Sequence, residues 1–363
     1  MKRVYYHSGF QKPSIHWRRR GESAFQVCPM EREGAGRTAQ EHLWTGALPV
    51  EPQEIVEFFI SDGIRRDPSN RWYESRTSLS FLQDGELFTY RPAARVEKPR
   101  RAYSTDAPPS IYSNNLGERR SFRVYLPRGY RQHLSRRYPV IYLQDGQNIF
   151  ESGSFGSWQA QRSLDRGIRR GEVEEVIVVA VDHGAGRWDD YVPAEDGGAN
   201  QRYARFLSQE LKPHIDRTFR TRTGPQDCAL LGSSLGGVAA LSIAWDHFHQ
   251  FGKVASLSGS WWLKKFQKRM LGQTRRPLKI YVDSGNAGPY NDCIHHTVSL
   301  REQLESRLGY RLGQDLCHVV GDQQAHTEGA WGHRLIFALR FLFPAEGAPE
   351  ERAELPLMLR KAA

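Results

Sequence analysis

Cysteine is scarce in this sequence: 363 residues carry four, Cys28, Cys228, Cys293 and Cys317. None forms a Cys-x-x-Cys pair and their spacings are irregular. That excludes a disulfide framework and a zinc ribbon, and fits reduced, mostly buried thiols. Lysine is scarce as well, with 10 of the 51 cationic residues, so 41 are Arg. The net charge of +10 invites a nucleic-acid reading. The arginines, however, fall in short clusters beside turns, such as Arg18-Arg19-Arg20, Arg119-Arg120 and Arg169-Arg170. A groove that tracks phosphates shows a basic helix or a basic strip with interleaved aromatics, and neither is present. No nucleic-acid partner is expected, only weak attraction to polyanions. No run of 18 apolar residues occurs, so no membrane span is expected. The basic start, Met1 to His7, lacks the apolar segment of a signal peptide, and a cytoplasmic protein is the expectation. No His/Cys/carboxylate cluster has metal spacing, and no Gly-rich turn carries the Lys of a phosphate-binding loop. No metal or cofactor is expected.

What is present is a chain long enough for two domains, with 39% hydrophobic residues. Residues 1–92 hold short runs rich in β-branched and aromatic residues: Val4-Tyr5-Tyr6, Ser14 to Trp17, Ile55 to Ile60 and Leu87 to Tyr90. Turn signals separate them, which predicts a small all-β sandwich. Residues 93–116 turn Pro-, Arg- and Ser-rich and read as a linker. From 117 to 345, near-continuous apolar runs alternate with segments of helical spacing. The runs are Tyr138 to Leu143, Val176 to Val181, Cys228 to Leu231, Lys253 to Ser258 and Leu278 to Val282. Strands buried on both faces belong to a mostly parallel sheet, so this part is α/β with helices on both sides. Residues 346–363 read as a tail.

The chemistry-bearing motif is Gly232-Ser233-Ser234-Leu235-Gly236-Gly237. A strand precedes it and the helix-forming Val238-Ala239-Ala240-Leu241 follows. Gly-x-Ser-x-Gly in this setting makes a tight turn that lifts the serine hydroxyl clear of the sheet. Ser234 is the expected nucleophile, and the N–H of Leu235 an expected oxyanion donor. A base must lie within hydrogen-bond reach. His247, His249, His295, His296, His318, His326 and His333 all follow Ser234. His326 is favoured because it sits in a loop between a late apolar run and a helix. The triad acid should follow the strand that ends at Asp283; Asp292, in the next loop, is favoured, with Asp283 and a Ser–His dyad as alternatives. The loop Asp145-Gly146-Gln147-Asn148 follows a central strand, and Gln147 N–H is the expected second oxyanion donor. Trp158, Trp261 and Trp262 are candidates for pocket walls or core. Asp182-His183 and Asp189-Asp190-Tyr191 are candidates to shape the cleft.

Residues 117–344 resemble the α/β-hydrolase family of putative esterases, with its enterochelin, feruloyl and S-formylglutathione hydrolases and mycolyltransferases. The resemblance rests on Arg123 to Pro127, Tyr138 to Asn148, Gly232 to Gly237 and Ala325 to Trp331. It implies an α/β-hydrolase fold, an esterase nucleophile at Ser234 and a base at His326. Some relatives place the acid three residues after the Gly that ends the late strand; that position is Gly288 in this chain, in a longer loop. The N-terminal part resembles a bacterial starch-binding module, carbohydrate-binding module family twenty-five. It does so at Val4 to Tyr6, Ile15 to Trp17, Met30, Trp44, Phe58 to Gly63 and Trp72. The polar residues that follow the tryptophan in that family are replaced by Tyr73-Glu74-Ser75. The resemblance implies α-glucan stacking on His16, Trp17 and Trp72. The resulting expectation is a serine ester hydrolase acting on a small-molecule or glycan ester. Its rivals are transfer of the acyl group to a sugar hydroxyl, and a glucan-binding protein with a vestigial hydrolase domain. The sequence leaves oligomeric state open.

Overall fold

The computed structural model describes residues 1–35, 41–64, 66–67, 72–83, 86–89, 108–150 and 156–347. The chain divides into two compact units, Met1–Arg100 and Arg101–Ala363. The expected linker over 93–107 and the expected tail beyond 347 lie outside the described residues.

In the first unit, buried residues alternate with less buried ones along Lys2–Ser8, Ser14–Arg19 and Val56–Ser61, the strands at the heart of two sheets. One sheet orders Glu86–Phe88, Leu79–Gln83, Lys2–Ser8, His42–Leu48 and Glu31–Ala35, with Lys2–Ser8 parallel to Leu79–Gln83 and its other pairs antiparallel. The other is antiparallel and orders Gln26–Pro29, Ser14–Arg19, Val56–Ser61 and Arg66–Asp67, with Tyr73–Ser75 also on Val56–Ser61. Val4, Tyr6, Trp44, Leu48 and Leu82 from the first sheet share one core with Ile15, Trp17, Val56, Phe58 and Ile60 from the second. That face-to-face packing is a sandwich. It corrects one sequence expectation. Trp17 is only 2% exposed and belongs to the core, so its ring cannot take a sugar.

In the second unit an eight-stranded sheet orders Ser110–Ser113, Glu118–Tyr125, Ile177–Val181, Val140–Gln144, Cys228–Ser233, Lys253–Leu257, Lys279–Gly285 and Leu316–Gly321. The first two strands are antiparallel to their neighbours and the remaining six are parallel. Ser110–Ser113 lies within the stretch expected to be linker. The alternating Ile111 and Ser113 pair it with Glu118–Tyr125, so the sheet begins earlier than composition indicates.

Both faces of this sheet are covered. Tyr142, Val179, Leu230, Val254 and Ile280 pack toward residues of the helices Asn200–Arg205, Leu235–Asp246, Lys265–Leu271 and Ile294–Leu308. Ile141, Leu143, Val178, Leu231, Ala255 and Tyr281 pack toward Ala160–Arg169 and Glu328–Leu342. Because the six strands run parallel, every loop after them opens on one edge. Ligand sites in such sheets lie at that carboxyl edge.

Candidate active site

The strand Cys228–Ser233 delivers Ser234 to this edge. Ser234 adopts φ 54°, ψ −124°, and Leu235–Asp246 starts as a helix directly after it. A positive φ costs a residue with a Cβ on the order of 1–3 kcal/mol, so the surroundings must hold it. They do: Ser234 N–H donates to Leu257 O at 3.0 Å, and its carbonyl accepts from Gly237 at 3.1 Å and from Ser260 at 3.1 Å. The flanking glycine is obligatory, since a Cβ on Gly232 would stand 2.4 Å from the Gly236 carbonyl oxygen. The N–H of Leu235 is in the first helical turn, where amides lack intrahelical partners.

The neighbouring strand, Val140–Gln144, ends beside this turn. Asp145 takes a left-handed conformation, φ 59°, and starts the 3₁₀ turn Gly146–Asn148 that contains Gln147. Its carboxylate is gripped by Arg187, Nε to Oδ1 at 2.7 Å and Nη2 to Oδ2 at 2.8 Å, and its N–H donates to Tyr191 Oη at 3.0 Å. The amide oxygen of the Gln147 side chain is buried without a hydrogen-bond partner among the described residues.

His326 and Asp292 meet from two further loops. Asp292 Oδ1 lies 2.6 Å from His326 Nδ1. Asp292 Oδ2 accepts from Gly285 N–H and from Ser258 Oγ, each at 2.5 Å. Burial pushes the Asp292 carboxyl up, yet the hydrogen bonds from His326, Ser258 and Gly285 outweigh it and hold it below the ordinary carboxylate range. The His326 ring stands edge-on to Trp331, with centroids 4.9 Å apart, and its side chain is 44% exposed. Asp283 does not touch His326. Its carboxylate accepts from Ser258 N–H at 3.1 Å and Tyr281 Oη at 3.0 Å, and burial pushes its pKa up.

Ser234 Oγ is 3.3 Å from Ser260 Oγ, and no hydrogen bond joins it to His326. Catalytic hydrogen bonds are commonly long without substrate and tighten when it binds. The loop Ser258–Ser260 links both halves of the site: Ser260 touches Ser234 and Ser258 touches Asp292.

Sequence reasoning did not single out Ser258, Ser260, Arg187 or Arg334. Arg334 carried a signal, as a lone cation on the buried face of an otherwise apolar helix. Trp158 and Trp261 are core residues, whereas Trp262 is 48% exposed and faces Trp188, with ring centroids 6.3 Å apart. Asp182 and Asp190 pair with Arg123 and Arg120. Among the described residues no group of three His, Cys, Asp or Glu side chains could hold a metal ion, and no helix is long and apolar enough to cross a membrane.

On the first unit, His16 is half-buried and stacks on Phe59 at 4.6 Å. Trp72 is 45% exposed, and the Arg18 guanidinium lies 4.6 Å from its ring centre and 4.5 Å from that of Phe25.

Comparison with known proteins places this architecture. The chain is 26% identical over 251 residues to the uncharacterized protein YbbA of Bacillus subtilis, covering 64% of this chain and 96% of that one. It is 27% identical over 241 residues to an endo-1,4-beta-xylanase/feruloyl esterase of Xylanibacter ruminicola, covering 61% of this chain but only 31% of that larger protein. The crystal structure of the enterobactin esterase FES from Shigella flexneri superposes with a TM-score of 0.53 at 16% identity, over 92% of this chain and 89% of that one. That likeness is one of fold, and it extends over more residues than the second unit contains. The model of the family described as "Putative esterase" matches residues 113–342, which hold seven of the eight strands of the sheet, Ser234, Asp292 and His326, and the chain belongs to that esterase family.

Proposed function

We propose that this esterase works through a serine acyl-enzyme on an ester-bearing carbohydrate or a related ester. The observation that carries the reading is the pairing of Asp292 with His326 at 2.6 Å, at the sheet edge where Ser234 is held in a strained turn. In this reading His326 Nε2 takes the Ser234 proton as Oγ bonds to the ester carbonyl carbon. The N–H groups of Leu235 and Gln147 receive the oxyanion. Asp292 keeps the imidazole ring oriented and balances its positive charge. Collapse breaks the bond to the alkoxy oxygen, which leaves with the proton from His326. Water then enters by the same route in reverse and frees the acid.

The exposed Trp188–Trp262 pair follows residues of the site on both loops and offers flat surface to a ring-bearing substrate. The named feruloyl and enterobactin esterases supply the aromatic esters for a first substrate panel, beside acetyl esters. On the first unit, His16 and Trp72, with Phe25 and Phe59, are the rings an α-glucan would meet. Trp72→Ala is expected to abolish retardation in a starch affinity gel, and no retardation of the wild type would remove glucan from the reading.

The direct test of the esterase chemistry is p-nitrophenyl acetate turnover in wild type and Ser234→Ala. A loss of about a thousandfold or more is expected. Equal rates in the two proteins would sink the proposal.

A further inference from the structure

The acid of the proposed triad sits on an improbable backbone. Tyr290, Asn291, Asp292 and Cys293 all have positive φ, 66°, 50°, 48° and 54°, and none is glycine. Successive left-handed residues cost about 1–2 kcal/mol each, so something must hold this turn. Asp292 supplies the anchor from inside, through Gly285 N–H and Ser258 Oγ. Gly285 has no room for a side chain, because a Cβ there would lie 1.8 Å from the Gln324 carbonyl oxygen. Behind both contacts stands Arg334, fully buried on the helix Glu328–Leu342. Its Nη2 donates to Ser258 Oγ at 2.7 Å and lies 3.6 Å from Asp292 Oδ2. Its Nε is 3.1 Å from Asp283 Oδ1, and its Nη1 donates to Gln324 Oε1 at 2.7 Å in the loop that carries His326.

We infer that Arg334 is a positioning residue for catalysis: one buried guanidinium that holds Asp292 in its left-handed turn and ties the acid loop to the histidine loop. The inference rests on the proposed triad. It also accounts for the division between the two carboxylates. Asp283 is occupied by Arg334, Tyr281 and Ser258 N–H, whereas Asp292 keeps Oδ1 free for His326. The charged and titratable groups around the Asp292–His326 pair are Arg334, Asp283 behind Arg334, Tyr281, Cys293 and Glu328. Arg334 is the one fixed cation in that set. Removing it leaves the Asp292 carboxylate without its buried counter-cation and so favours positive charge beside it.

The test is the pH profile of kcat/KM for p-nitrophenyl acetate in Arg334→Gln and Arg334→Lys, with wild type and Ser234→Ala alongside. Arg334→Gln is expected to lose about tenfold or more in kcat with little change in KM. Its acid limb should move to higher pH. Arg334→Lys restores the charge without the fork, and should return the limb to the wild-type position while kcat stays low. Wild-type kcat in Arg334→Gln, or a lowered kcat with an unmoved limb, would overturn the inference. Where Arg334→Gln does not fold, Arg334→Lys decides: a lowered kcat at unchanged KM supports it and wild-type kcat refutes it. Failure of the triad reading looks different, because wild type would then turn over no faster than Ser234→Ala.

Discussion

At the scale of single residues, Asp292 is held by opposing effects on its charge. Burial disfavours its carboxylate, and three hydrogen bonds more than offset that. A group whose folded pKa is depressed contributes stability above its unfolded pKa and loses it as pH falls through the folded value. The difference in melting temperature between wild type and Asp292→Asn should therefore be constant near neutrality and shrink below about pH 4. A difference that grows with acidity would contradict the assignment. On activity, Asp292→Asn should lower kcat by about 10²–10⁴ and leave KM nearly unchanged, since the amide favours the wrong imidazole tautomer.

That Ser234, Asp292 and His326 lie in loops at one edge of the sheet was legible because those loops follow apolar runs in a fixed chain order. Trp17 was misread because a tryptophan on a strand gives the same sequence signal whether it points into the sandwich or out of it. Only its register beside Ile15 and Phe58 decides.

Elements carry the site by register. Leu143 pairs with Leu231, and Leu257 with Asp283, so four successive loops open at neighbouring points on one sheet edge. Five of the six parallel strands of that sheet were readable as continuous apolar runs, and the sixth as the late apolar run before His326, because they are buried in the sheet. Strands such as Gln26–Pro29 and Glu31–Ala35 escaped the same reading, since they carry polar, exposed residues whose order comes from pairing with a neighbour. The left-handed turn at Tyr290–Cys293 was invisible as well: no glycine marks it, and contacts distant in sequence impose it. The turn at Ser234 gives an element-level prediction. Gly232→Ala drives a Cβ into the Gly236 carbonyl, so the turn must shift. Thermal unfolding should show a loss of about 1–3 kcal/mol, with esterase turnover falling further than stability. Unchanged turnover in a folded Gly232→Ala would mean that the geometry of this turn does not limit the reaction.

Over the whole molecule, several of the 41 arginines have local carboxylate partners, and the net charge of +10 is the excess left over. Arg120, Arg123, Arg187, Arg269 and Arg334 each pair with a carboxylate, several of them at the catalytic edge. The two units call for separate tests. Trp17→Ala empties part of the sandwich core and should destabilise it by about 3–5 kcal/mol in denaturant unfolding. Trp72→Ala removes an exposed ring and should leave both stability and p-nitrophenyl acetate turnover at wild-type values. A stability loss in Trp72→Ala to match that of Trp17→Ala would contradict the placement of these two rings.

The central claim is that Ser234 forms the covalent intermediate. Peptide mass mapping after exposure to a fluorophosphonate measures this directly. The adduct is expected on the peptide containing Ser234 in the wild type, and nowhere in Ser234→Ala. A folded wild-type protein that takes up no label, or a Ser234→Ala variant labelled to the same extent, would contradict it.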